Sequence, residues 1–452
     1  MKALAWIAKG VAALIALVVG VWGISKLLPV PEDQRQARAL LEQDPGFSGR
    51  NGFAALWFLG FEGVPVERYD ELLAQDVAAQ RRAQAQQLAA LADVAGGQQA
   101  PVPFPQDSVA QGQWPRTAAS VEPVCTFNQV DCLEKVRAAP QAYAKALEGQ
   151  QALLDRLAAL GAYDYVQSPF PPDVSTPLPW VAGLSRAHTA YALAHVQGRS
   201  DEALAGVCRT VLTGRMLMSR SDSLLIAMVG GRMVQSGALL FSQVLAELPA
   251  NQPLPPACND AFVLPKAAEL STCNAMRGEF RLINSVWPTL RAEHQPGMWL
   301  LLDEDKTIAR NALPLAHACT TQVSRALAQD APIPPAPGKT YSPWSLRCAA
   351  NAVGCILSSI AGPAYEGYTA RLQDAGAQLR LVAIALWLRE QPAGSELPAL
   401  LRQLPEPLRS PSRAVRLSDD GHWLEMPAYA DKQPMPPRAA VPSFLVDVAG
   451  TR

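Results

Sequence analysis

The chain lacks the short motifs that betray much enzyme chemistry. Its 452 residues contain no C-x-x-C and no G-x-x-x-x-G-K-[ST]. The first absence argues against a thioredoxin-like redox centre and the second against a phosphate-cradling loop. Long basic runs are missing too, and 39 Lys and Arg against 40 Asp and Glu leave a formal net charge of −1. Nucleic acid wants a basic face, so it is set aside as a partner. Histidine is scarce, with five in the chain. His188 and His195 share one face of a predicted helix, but they stand seven apart, where a helical zinc pair wants four and a neighbouring glutamate. His294, His317 and His422 have no acid or cysteine at ligand spacing. No metal and no cofactor is therefore expected. The nearest approach to G-x-S-x-G is Gly183-Leu184-Ser185-Arg186-Ala187, which lacks the second glycine and a strand before it. Motifs thus assign no catalytic residue.

What the sequence does have is an apolar beginning. Gly10 to Ile24 carries no charge, Lys9 and Lys26 bracket it, and Ala3 to Ala8 extends it. A bilayer-crossing helix needs about 20 mostly apolar residues, and residues 3–28 supply them if the lysines reach the interfaces. A cleaved signal would want small residues after the apolar core. Here Trp22, Ile24, Lys26 and Leu27 follow instead. The positive charges flanking the span are nearly balanced, so orientation rests on the ease with which a long domain translocates. The expectation is a single-pass protein of the bacterial inner membrane with its C-terminal domain in the periplasm. Eight cysteines fit such an oxidising space. Cys125 and Cys132 flank a turn-rich loop and are expected to bond. Cys258 with Cys273 is the next most plausible pair. Cys348 and Cys355 fall in a predicted helix, where two turns would hold them roughly 10 Å apart, too far to bond.

Thirty-nine prolines divide the rest into helical stretches. Helices are read after Pro31, at 52–61 with Asn51 as cap, at 66–94, at 131–162 from Asp131, at 179–197 and 200–248 with Ser200 or Asp201 as cap, at 263–295, at 304–329, at 344–361 and at 363–391. The last is read with Arg371, Asp374, Gln378 and Arg389 outward. The segment Tyr191 to Leu204 invites comparison with a tetratricopeptide unit, with Gly198 and Ala203 five apart, but no 34-residue period repeats, and an ordinary helical hairpin is the better reading. One β-hairpin is legible in VRLSDDGHWLEM: a type I′ turn at Asp420-Gly421 puts Leu417 opposite Leu424, Val415 opposite Met426 and Arg416 opposite Glu425. The tail beyond Pro427 is read as extended. The fold class is all-α: an anchor at 1–30, an N-terminal helical region at 31–165, a central helical core at 166–404, and the hairpin with its tail at 405–452.

Two charged groups stand in apolar surroundings. Arg277, Glu279 and Arg281, with Glu269 nearby, form one, and Tyr368 and Arg371, with Tyr365 and Asp374, form the other. Each is a candidate ligand-binding group or a buried ion-pair network. Trp57, Phe58, Trp287 and Trp299 are candidate contact aromatics, although most aromatics belong to the core. The leading functional expectation is a membrane-tethered helical interaction or scaffold protein without catalysis. One concrete form is an immunity-type inhibitor that binds a protein partner. The alternative is an envelope-directed hydrolase whose site is assembled within the helical core.

Overall fold

Proline and turn-forming residues decide where the helices stop. The computed structural model describes residues 2–92, 107–117, 123–292, 297–336, 345–361, 365, 367–392, 394–431 and 435–446. The N-terminal part holds α1 (Lys2–Leu27), α2 (Glu32–Leu41), α3 (Phe53–Trp57), α4 (Tyr69–Ala92), α5 (Cys132–Ala138), α6 (Pro140–Ala146) and α7 (Gln151–Ala159). The single helix expected at 131–162 is divided because Pro140 starts a new helix and Gly149 takes a left-handed φ of 73°. The centre holds α8 (Arg186–Val196), α9 (Ser200–Ser219), α10 (Leu224–Ala246), α11 (Cys258–Ala261), α12 (Cys273–Asn284), α13 (Trp287–Ala292), α14 (Glu304–Ala316), α15 (Thr321–Ala328), α16 (Ala352–Ala361), α17 (Tyr368–Arg389) and α18 (Leu397–Arg402). The long helix expected at 200–248 breaks at 220–223. There the carbonyl of Arg220 accepts from the amide of Val166 (2.9 Å), and the Ser223 hydroxyl caps α10. Ser200, expected as a cap, is the first residue of α9, with Arg199 before it.

Apart from Arg232, α10 is uncharged, and residues on all its sides are buried. It passes the length and hydropathy test for a membrane span, but 78% of that window is inside the protein. It packs against α9, α17 and strand β3 (Arg438–Ala440). Small residues set the α9–α10 distance: a Cβ on Gly230 would fall 2.6 Å from the carbonyl oxygen of Gly214. Trp57, Phe58 and Trp287 are buried, which removes them as contact aromatics.

The C-terminal sheet has three antiparallel strands, β1 (Arg416–Leu417), β2 (Trp423–Glu425) and β3, in that order. Arg416 faces Glu425 and Leu417 faces Leu424, the expected register. The turn differs from expectation. Gly421 donates to the carbonyl of Ser418 and is the residue with positive φ, so Asp419 and Asp420 occupy a turn of right-handed type that ends in a left-handed glycine. The tail, expected to be extended, supplies the strand β3 and then a short helix, α19 (Ser443–Val446).

This C-terminal segment covers Asp374 and Gln378 on α17, and the loop at 249–252 meets Arg389, which reverses the expected outward placement of all three. Asp374 and Gln378 are 0% and 1% exposed, and Arg389 is buried. Asp374 accepts from Arg413 at 2.7 Å and from the amides of Tyr429 and Ala430. Arg413 also pairs with Asp330 and lies over the Tyr429 ring at 4.1 Å. Gln378 behaves as a strand partner, accepting from the amide of Arg438 (2.9 Å) and donating to its carbonyl (2.6 Å). Arg389 donates to the carbonyl of Gln252. Each polar group is buried because a hydrogen-bonding partner arrives with it.

Four disulfides tie the chain. Cys125–Cys132 is the expected bridge. Cys208–Cys258 and Cys273–Cys319 replace the expected Cys258–Cys273 pair. α11 packs on α9, and the first residue of α12 meets the 3₁₀ turn that follows α14. Cys348 and Cys355 bond as well, with Cα atoms 5.9 Å apart. The expected separation assumed one helix, but the chain passes through a 3₁₀ turn at Leu346–Cys348, and α16 begins only at Ala352.

α1 projects from this body with apolar side chains exposed along its length, and its last turn is seated through Ser25. Ser25 is fully buried, and its hydroxyl accepts from the amide of Ala350 at 2.9 Å. Lys306 donates to the carbonyls of Ser25 (2.8 Å) and Lys26 (2.9 Å), satisfying helix-end acceptors and placing a cation at the negative end of the dipole. Lys26 pairs with Asp303 at 2.7 Å. Burial opposes charge on Asp303, yet the Lys26 hydrogen bond holds its carboxyl below the ordinary range.

Arg413→Ala leaves two acids buried without their cation, and is expected to lower the unfolding free energy by about 3–5 kcal/mol in urea titrations of the solubilised protein. Peptide mapping under non-reducing conditions is expected to recover the four pairs above, and a Cys258–Cys273 peptide would contradict the fold.

Candidate functional site

The break between α9 and α10 creates a site that the sequence hid. It brings Asp222 and Ser223 against α12, and the proline-rich loop 169–179 closes over both. Between them lies a cleft of about 350 Å³. One wall is Phe170, Pro171, Pro172, Pro177, Leu178 and Pro179, with Asp173 and Thr176 among them, and the other is Ile226 and Leu282. Polar groups gather along the α12 side, where Asp222, Glu279 and Arg281 border the cleft. α12 approaches this turn closely because residue 278 is glycine: a Cβ there would fall 1.6 Å from the carbonyl oxygen of Asp222.

The geometry fixes each charge. Arg281 pairs with Asp222 at 3.1 Å, and the other Asp222 oxygen accepts from the amide of Ser168 at 3.3 Å. Burial nevertheless pushes the Asp222 carboxyl above its usual range. Burial does the same to Glu279, whose carboxylate accepts from the amide of Leu224 and the hydroxyl of Tyr365. Leu224 is the first residue of α10, so Glu279 satisfies an amide at a helix N-terminus. The Tyr365 hydroxyl, desolvated and facing Glu279, is pushed up to about 12.

The residues singled out in the sequence divide among different places. Glu279 and Arg281 border the cleft. Arg277 turns the other way and holds the end of α2, donating to the carbonyl of Leu40 (3.2 Å) and to Gln43 (2.9 Å). Glu269 pairs with Arg215 of α9 at 2.6 Å. Arg371 is exposed and lies over the Tyr368 ring at 4.8 Å. These two are not among the residues lining the cleft, and Tyr365 is the member of their group that reaches it, through Glu279. Asp222 was missed. Its signal was Ser219-Arg220-Ser221-Asp222-Ser223, a turn-forming cluster inside an apolar run.

A second cavity, about 440 Å³ and polar, opens at the other end of α10 between α5 and the sheet. Arg137 grips Glu247 there with two hydrogen bonds of 2.6 and 2.7 Å. Glu247 also meets His195 Nε2 at 2.9 Å, and His195 Nδ1 meets the Ser200 hydroxyl at 2.9 Å. The His195 hydrogen bond, then Arg137, hold the Glu247 carboxyl below its usual range. His195 therefore ties the α8–α9 turn to the end of α10. His188 is buried, and burial lowers it to about 4, so it stays neutral at neutral pH. His317 bonds the carbonyl of Pro334 and His422 borders the polar cavity, while His294 lies outside the described residues. Among the described residues no group of three or more His, Cys, Asp or Glu is arranged to hold a metal ion.

Comparison with known proteins finds no match to a family model, a curated protein or a solved structure.

Glu279 is held above the ordinary carboxylate range in the fold, so it resists ionisation there more than in the unfolded chain. Its contribution is fully present below pH ~4 and falls away as pH rises through its folded value. Glu279→Gln is therefore expected to raise the melting temperature more at pH 7 than at pH 4, as read by scanning fluorimetry.

Proposed function

We propose that this chain is a membrane-tethered binding protein of the extracytoplasmic space, and that the cleft beside Asp222 receives an apolar segment of a protein partner. The observation that carries the reading is the cleft's division of surface. Proline, aromatic and aliphatic side chains make most of its walls, with Asp173 and Thr176 among them, and Asp222, Glu279 and Arg281 make a charged edge. Its volume of about 350 Å³ is within the usual range for ligand pockets, and an apolar lining with a few placed polar groups is their usual chemistry. Both acids already accept hydrogen bonds from amides, and Asp222 is paired with Arg281. This favours holding over turning over. The apolar α1 and the four disulfides support a tethered domain on an oxidising side. An immunity-type inhibitor, meeting an incoming toxin in that space, is one concrete form of such a protein.

One observation favours the second reading, an envelope-directed hydrolase. Two carboxyls at one cleft are both held above their usual range by burial, as general acids often are.

The test places a photo-crosslinking residue at Leu178, which is 66% exposed at the cleft, in the full chain in native membranes. The expected product is an adduct to an apolar segment of a protein, several-fold weaker when Val174→Asp puts charge in the same mouth. Recovery of a glycan or lipid fragment with a cleaved bond, lost in Asp222→Asn, would move the assignment to the hydrolase.

A further inference from the structure

The surface beside the end of α1 is unusually apolar for a face left open. Trp299, Leu300 and Leu301 are 62%, 40% and 47% exposed, and Ile356, Leu357 and Ile360 are 50%, 51% and 71% exposed. These residues form one strip. The carbonyl of Leu301 accepts from the amide of Val353 at 3.0 Å, which joins the turn Met298–Leu300 to the start of α16. Along α16, Val353, Ile356, Leu357 and Ile360 follow the three- and four-residue spacing of a single helix face. The polar side of that helix points the other way. Ser358 donates to Asn311 of α14 at 2.6 Å, and a Cβ on Gly354 would fall against the hydroxyl of Thr307. α16 contains no charged residue.

The strip is continuous with α1. Trp22 donates its indole N–H to the carbonyl of Leu300 at 2.7 Å and stands edge-on to Trp299, with ring centroids 5.8 Å apart. From Ala3 to Trp22 a helix rises about 29 Å, close to the ~30 Å of a bilayer's hydrocarbon. Trp22 then falls at the outer interface, the depth that tryptophan favours, and Trp299 falls there with it. Charge begins just beyond, with Lys26 on Asp303 and Arg347 on the carbonyl of Pro29. Apolar patches of this kind mark contact surfaces, and a helix with one apolar side resting in the interface is a common way to touch lipid.

We propose that the outward face of α16 and the turn at 298–301 rest in the outer interface of the bilayer that α1 crosses, so that the protein touches lipid at two places. The proposal rests on reading α1 as a span.

p-Benzoylphenylalanine is placed singly at Ile15, Ile360, Leu357 and Val263 of the full chain. Val263 is an exposed apolar residue on a different segment, 55% exposed. The chain is reconstituted in phosphatidylethanolamine–phosphatidylglycerol vesicles, irradiated and weighed by mass spectrometry. The expected result is a one-phospholipid adduct at Ile15, Ile360 and Leu357, several-fold more abundant than at Val263. Lipid adducts at Ile15 with none above the Val263 level at Ile360 and Leu357 would overturn the second contact and leave the span intact. Absence of lipid adducts at Ile15 would overturn both. Replacement of the lipid adduct at Ile360 by a protein adduct in native membranes would assign the strip to a protein partner and reject the proposal.

Discussion

The structure depends on burying α10. A 23-residue helix with a single cation is too apolar to lie open to water, and most of it is buried inside the protein. α9, α17 and β3 surround it, and the glycines at 214 and 230 let two backbones come within side-chain-free distance. Its two ends then become the places where polar groups must gather. At the N-terminus its amides are met by Ser223 and Glu279. Near the C-terminus the chain reaches Glu247, where His195 and Arg137 converge. The two largest openings described above lie at these ends, because helix termini are where an apolar rod has to be finished with hydrogen bonds.

The same logic explains the C-terminal segment. α17 has one face too polar to be core and too closely packed to be surface. The segment from 405 onward brings one guanidinium, two amides and a strand edge to it. Asp374 and Gln378 therefore fasten a cover that reaches as far as α10, where Ser242 accepts from the amide of Ala440.

Local features were legible and distant ones were not. The hairpin register could be read because alternating apolar residues and one Arg–Glu pair agree on a single alignment. Cys125–Cys132 could be read because seven residues of turn-forming chain bring the two together. The helical character and the apolar α1 followed from composition. The polar face of α17 misled because periodicity assigns acids and amides to solvent, whereas the partners of Asp374 lie 39 to 56 residues away. Cys208–Cys258 and Cys273–Cys319 span 50 and 46 residues, beyond any local rule. Of the candidate site, Glu279 and Arg281 were legible as charges in apolar surroundings. Asp222 was not, because the turn that brings it to the cleft was read as the middle of a helix.

The seat of α1 has a mechanical consequence. Here the last turn of the rod is clasped by Lys306, Ser25 is sunk into the body, and Lys26 is pinned to Asp303. That turn is therefore held by side-chain contacts as well as by the continuing chain. A tilt of that turn is passed directly to the start of α14 and to the segment at 345–350.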